Sequence, residues 1–203
     1  LVVERICYWM RSNAAHSHLV QISTDHNYDL SGFSREEETR IVNHYGFSKY
    51  AGELVAQSVG ATILRTNFFG KSRSDSRKSF SDWAYEALIS GAQTYAFDDV
   101  FFSPIHVNSL VNVMMNLLDD PIPGTFNLGS KGGISKADFI FEFAKIMGLN
   151  TRHVTVTQVA EMASRAPRPR DMRMNSSKLE LALTNVKIPE LTDEIRTLKD
   201  DYE

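Results

Sequence analysis

A single cysteine, Cys7, stands among the 203 residues. That excludes an internal disulfide and any multi-cysteine metal site, and an isolated thiol of this kind is expected to behave as a small buried apolar residue. No apolar run approaches the roughly 18 residues of a membrane span. Glu4 and Arg5 stand where a secretory signal would have its uncharged core, so a cytoplasmic protein is expected. Charge of one sign is also missing: 22 Lys and Arg against 25 Asp and Glu leave a net charge of −3, which gives no global reason to expect nucleic acid or an anionic membrane as partner. His26, His44 and His106 do not pair at metal-ligand spacing with a third donor nearby, so no protein-bound metal is expected. No internal repeat is evident. What the chain does have is a 42% hydrophobic content, enough to bury a real core, and the expected partner is a small molecule.

The pattern of apolar residues predicts an α/β fold. Leu1, Val2, Ile6, Trp9 and Met10 suit an amphipathic helix over residues 1–11. A buried strand follows from His18 to Ile22 and emerges in Ser23-Thr24-Asp25. A helix from Tyr45 to Ser58 and a second buried strand from Ala61 to Thr66 complete a strand–helix–strand unit, which implies parallel strands, a right-handed crossover and helices on both faces. The run 71–79 has no apolar residue and is expected to be a surface loop that burial cannot anchor. Beyond it come helices at 80–90, 107–118 and 135–147, strands at 94–97, 125–128 and 153–157, and a proline-arginine segment at 166–174. A short helix at 177–183 and a terminal helix from Thr192 close the chain. Ser135 with Asp138 reads as a capping-box-like start, and Gly91 and Gly148 as helix stops. Phe139, Phe141, Phe143, Trp83 and Tyr85 read as core or interface.

Tyr45 and Lys49 lie four residues apart, so their side chains leave one helix face about a turn from each other. An ammonium beside a phenol favours the phenolate and moves the tyrosine toward proton transfer at neutral pH. A hydroxyl from Ser23 or Thr24, at the end of the preceding strand, could bond the same substrate oxygen while a reduced nicotinamide delivers hydride to the carbon. A Tyr and a Lys at this spacing are common surface decoration. What distinguishes the pair is its position, opening the helix after a strand that ends in Ser-Thr-Asp, because ligands of open α/β sheets bind at the carboxyl ends of the strands. Arg168 and Arg170, stiffened by Pro167 and Pro169, could serve a diphosphate or simply a solvated basic loop.

The runs Gln21-Ile22-Ser23-Thr24-Asp25, Tyr45-Gly46-Phe47-Ser48-Lys49 and Ile63-Leu64-Arg65-Thr66-Asn67 resemble the extended short-chain dehydrogenase/reductases, specifically the dTDP-4-dehydrorhamnose reductase branch. Ser103-Pro104, Phe126-Asn127-Leu128-Gly129-Ser130, Ser135-Lys136-Ala137-Asp138-Phe139 and Arg168-Pro169 extend the likeness over nearly the whole chain. The resemblance implies NADPH or NADH as cofactor and reduction of the 4-keto group of a nucleotide-linked deoxysugar, in dTDP-rhamnose biosynthesis. Tyr45 would be the proton donor, Lys49 would hold the cofactor ribose and Thr24 would position the carbonyl. Ser23 and Asn67 would line the cofactor site, and Asp25, Phe68 and Arg168 the substrate site. A nucleotide-sugar epimerase or dehydratase, or a non-catalytic nucleotide-binding relative that regulates a partner, shares these features. A homodimer is one of the oligomeric states the resemblance permits.

The glycine-rich turn that receives a dinucleotide pyrophosphate in such folds does not occur in this sequence. The expected architecture is therefore the C-terminal part of a Rossmann-like doubly wound parallel sheet plus a smaller α/β substrate-binding region. Residues 1–70 are assigned to the cofactor-binding sheet and 71–203 mainly to the substrate-binding region, with some segments returning to the sheet. The residue that tells NADH from NADPH belongs to the portion the sequence does not contain.

Overall fold

The computed structural model describes residues 2–14, 16–74, 76–161 and 167–203. Leu1 and Ala166, the outer residues of two predicted segments, lie outside them.

Helix α1 (Val2–Asn13) precedes strand β1 (Val20–Ile22), and helix α2 (His44–Gln57) leads into β2 (Thr62–Thr66). Both strands run parallel, with Ile22 opposite Leu64. The short β3 (Phe68–Phe69) and helix α3 (Phe80–Ser90) come next, followed by β4 (Thr94–Phe97), β5 (Phe101–Phe102) and β6 (Ile105–His106). Helix α4 (Val107–Asp119) then leads to β7 (Gly124–Leu128), which pairs parallel with β2 and completes the order β1-β2-β7.

All five residues of β2 are buried, as a strand covered on both faces requires. Adjacent residues of a strand point to opposite faces. Ile63 accordingly packs with Ala56 and Ala61 beside α1 and α2, whereas Leu64 joins Leu110, Val113 and Leu117 of α4 and Phe126 of β7. Cys7 is buried as expected, but α1 and α2 leave Tyr8, Trp9, Phe47 and Leu54 exposed.

The remaining elements build the second lobe: β8 (Ile134–Ser135), α5 (Lys136–Met147), β9 (Val154–Thr157), β10 (Asp171–Met172), α6 (Ser177–Ala182), α7 (Leu191–Arg196) and α8 (Leu198–Tyr202). Strand β5 lies between β10, parallel, and β8, antiparallel, while β4 pairs with β9 and β3 with β6. Of these elements, α6 packs back on β7. The core of the lobe is aromatic: Phe139 meets Phe69 edge-on at 5.1 Å and Phe102 at 5.7 Å.

The 71–79 loop lacks burial but is tied by hydrogen bonds: Lys71 N donates to Asp201 at 3.0 Å, Ser72 N to Asp82 at 3.1 Å, and Ser79 forms a reciprocal capping box with Asp82 at the start of α3. Asp75 lies outside the described residues. Trp83 is not a core residue: it is 42% exposed, stacks on Phe80 at 5.8 Å and lines a cleft.

Candidate active site

Strand β1 ends where its last residues can be spent on function. Ser23, Thr24 and Asp25 follow Ile22 and are all buried. Asp25 starts a single 3-10 turn to Asn27, capped by Thr24, whose Oγ1 accepts from His26 N at 3.2 Å. Lys49 reaches back from α2, and its Nζ donates to the Ile22 carbonyl at 2.7 Å. The start of α2 is fixed by Asn43, whose Oδ1 accepts from Gly46 N at 2.7 Å and whose amide donates to His26 Nδ1 at 3.2 Å. Glycine is required next to Tyr45, because a Cβ on Gly46 would sit 2.7 Å from the His26 carbonyl oxygen. The two segments therefore touch, and the His26 ring meets the Tyr45 ring edge-on at 5.2 Å.

The sequence-predicted residues fall into two groups. Thr24, Tyr45 and Lys49 lie at the same strand end: Thr24 bonds His26 N, the His26 ring meets Tyr45, which is 54% exposed, and Lys49 bonds the Ile22 carbonyl. Asn67 joins them through a 2.6 Å bond from its amide to Asp25 Oδ2, and it lines the cleft. Arg168 lines the cleft from the other side. Ser23 instead gives its hydroxyl to Glu53, and Phe68, 49% exposed, is not among the cleft's lining residues.

Beneath this edge lies a buried polar network that sequence reading missed. Arg65 of β2 and Glu53 of α2 form an ion pair at 2.7 Å, both almost fully buried. Glu53 also accepts from Asn27 at 2.6 Å, and Arg65 donates to Tyr28 OH at 2.8 Å and to the Glu36 carbonyl at 2.6 Å. Tyr28 in turn donates to Asn127 of β7 at 2.6 Å. Burial pushes the Tyr28 phenol up to about 12, so it stays a neutral donor. The network fastens the loop after β1 to α2, β2 and β7. A buried arginine in a strand opposite a helical glutamate was readable only as two charged residues in apolar surroundings.

The cleft itself has a volume of about 750 Å³ and lies between this edge and the second lobe. It is bounded by His26 and Asn67 on one side and by Phe80, Trp83, Val100, Lys136 and Arg168 on the other. Lys136 is a further residue that sequence reading missed. Burial draws its ammonium down to about 7, Asp25 acting against that shift and Arg168 with it. Burial lowers His26 as well and raises Asp25, each partly offset by the opposite charge of the other. One signal for Lys136 was present: a cation in the first turn of a helix opposes the macrodipole.

Among the described residues, no group of three or more His, Cys, Asp or Glu could hold a metal ion, and no helix is long and apolar enough to cross a membrane. The donor set fits the nicotinamide-ribose end of a dinucleotide. An ammonium has three protons, so Lys49 keeps two for ribose hydroxyls after bonding Ile22, and Tyr45 offers an exposed hydroxyl a turn away.

Parallel strands flanked by helices, with Thr24 at a strand end and Tyr45 and Lys49 on the following helix, define an extended short-chain dehydrogenase/reductase. The family model of the RmlD substrate binding domain matches residues 6–203, and the chain belongs to that family. It is 27% identical over 187 residues to the probable low-salt glycan biosynthesis reductase Agl14 of Haloferax volcanii, covering 89% of this chain and 62% of that protein. The chain thus spans under two thirds of that relative's length. Two solved structures share the fold: a dTDP-4-dehydrorhamnose reductase from Clostridium acetobutylicum, at TM-score 0.86 and 23% identity over 98% of this chain and 70% of that one; and a dTDP-4-dehydrorhamnose reductase from Bacillus anthracis in complex with NADP, at TM-score 0.85 and 21% identity with the same coverages.

Proposed function

We propose that the protein reduces the 4-keto group of a nucleotide-linked deoxysugar with NADPH or NADH. The observation that carries this reading is that Thr24 closes β1 while Tyr45 and Lys49 leave the first turns of α2 at that same carboxyl edge, with His26, whose ring touches Tyr45, lining the cleft. The likeness to a glycan biosynthesis reductase and to two dTDP-4-dehydrorhamnose reductases supports it. A bound reduced nicotinamide supplies the hydride. The Thr24 hydroxyl, which bonds Asp25 Oδ1 at 3.3 Å in this structure, turns to the ketone oxygen when substrate binds, and the Tyr45 hydroxyl gives that oxygen its proton as the carbonyl becomes an alcohol. Lys49, anchored by the Ile22 carbonyl, holds the ribose. Ser23 and Asn67 are assigned to the cofactor side and Asp25, Phe68 and Arg168 to the substrate side, with 1–70 carrying the cofactor-binding portion.

The test is NADPH oxidation by the natural full-length polypeptide with a dTDP-4-keto-6-deoxysugar. Tyr45→Phe removes the proton donor and is expected to lower kcat at least 100-fold, as general acid catalysis typically contributes about 10²–10⁴-fold. Turnover unchanged in the variant would sink the assignment.

A further inference from the structure

The cleft carries a charge pattern that the reduction does not use. Its walls bring together Lys136, Arg168 and Arg170 but no carboxylate among the described residues. Arg170 has a partner in Asp99 at 3.6 Å. The Lys136 ammonium has no hydrogen bond or ion pair among the described residues; its Nζ lies against aromatic faces, 3.2 Å from the centre of Phe102 and 4.2 Å from that of Phe80. Asp25 is the nearby acid, but its oxygens are taken, Oδ2 by Asn67 at 2.6 Å and Oδ1 by Thr24 at 3.3 Å.

A cation placed this way is costly. It leaves water with no direct ion pair, Asp25 offsetting its charge only in part, at a helix start of the wrong polarity, beside a second cation. Two aromatic faces offset part of that cost. A methionine would fill the same space with none of it, so the charge has a use only when an anion enters the cleft. There, with apolar walls and little water, the attraction is stronger than on an open surface.

We propose that Lys136 is a substrate-reading residue whose ammonium, held against Phe80 and Phe102 on the cleft wall, bonds an anionic oxygen of the substrate together with Arg168. This rests on the cleft being the substrate site of the proposed reduction. The anionic oxygen can belong to the diphosphate of a sugar nucleotide or to a carboxylate on its sugar; the chemistry of recognition is the same.

Calorimetric titration of the natural full-length polypeptide with dTDP, dTDP-glucose and dTDP-glucuronic acid separates the two. Lys136→Gln is expected to weaken binding about 10- to 100-fold, the range of a hydrogen bond to a charged group, and Lys136→Arg to retain most of the affinity. A loss shared by all three ligands assigns the diphosphate; a loss confined to dTDP-glucuronic acid assigns the sugar carboxylate. Lys136→Met, checked for its folded circular dichroism spectrum, replaces the glutamine variant if that one unfolds. Equal affinities in wild type and variant, or no binding of any ligand by the wild type at millimolar concentration, overturns the inference. Hydride transfer is judged by the Tyr45→Phe assay instead, so a protein that binds these anions through Lys136 but reduces no keto sugar keeps this inference and loses the reading beneath it.

Discussion

At the scale of single residues, Lys136 sets function against stability. Its ammonium sits near 7 in the folded protein against about 10.5 in an unfolded chain, chiefly through burial. Between those values the unfolded state binds more protons, so this group makes stability rise with pH; below about 7 the whole penalty is present, and above 10.5 it vanishes. Lys136→Met is therefore expected to raise Tm by a few degrees at pH 6.5, roughly the effect of 1 kcal/mol in a protein of this size, with the gain shrinking toward pH 10. Asp25, His26 and Arg168 also face this ammonium, and comparing variant with wild type at each pH largely cancels their own titration. A calorimetric melt series checks it. A variant no more stable than wild type at pH 6.5 would mean that the charge is already neutralised in place. Tyr45, Lys49 and Thr24 could be found from sequence because their relation is local, one helical turn and one strand end. Arg168 was readable through its proline-flanked motif and Lys136 was not, and that both face Asp25 or His26 was not legible, since they approach them only after more than a hundred residues of chain have folded over.

Among the elements, α2 shows how a cap can position a site. Asn43 accepts from Gly46 N and donates to His26 Nδ1, so one side chain ends the loop, starts the helix and sets the ring that touches Tyr45. Asn43→Ala is expected to cost about 1 kcal/mol, the usual worth of an N-cap, and to raise KM or lower kcat by loosening Tyr45. Thermal melts and kinetics on one preparation check both; a melting loss with unchanged kinetics would confine Asn43 to capping. Helix periodicity and the glycine stops at 91 and 148 made α3, α4 and α5 readable, and both glycines take the left-handed conformation, φ 66° and 65°. The two-residue strands β3, β5, β6, β8 and β10 were not readable, because a strand that short has no period; its partners alone define it.

Across the whole molecule, the Glu53–Arg65 pair fastens helix to sheet beneath the site. Glu53→Ala leaves a buried guanidinium without its carboxylate and is expected to cost about 3–5 kcal/mol; urea unfolding measures it, and a loss below 1 kcal/mol would mean that Tyr28 and the Glu36 carbonyl suffice for Arg65. The second lobe carries a different consequence, one of time. Phe101 and Phe102 find their parallel partners at Asp171 and Met172, 70 positions later in the chain (171 less 101). A ribosome adds roughly 5–20 residues per second, so about 4–14 s separate the two strands at synthesis. For that interval the nascent chain holds an aromatic edge with no mate on one side, and the cleft has only part of its wall. The order in which the ribosome delivers these strands makes the cleft among the last features to take shape, and the interval is when a chaperone would have most to cover.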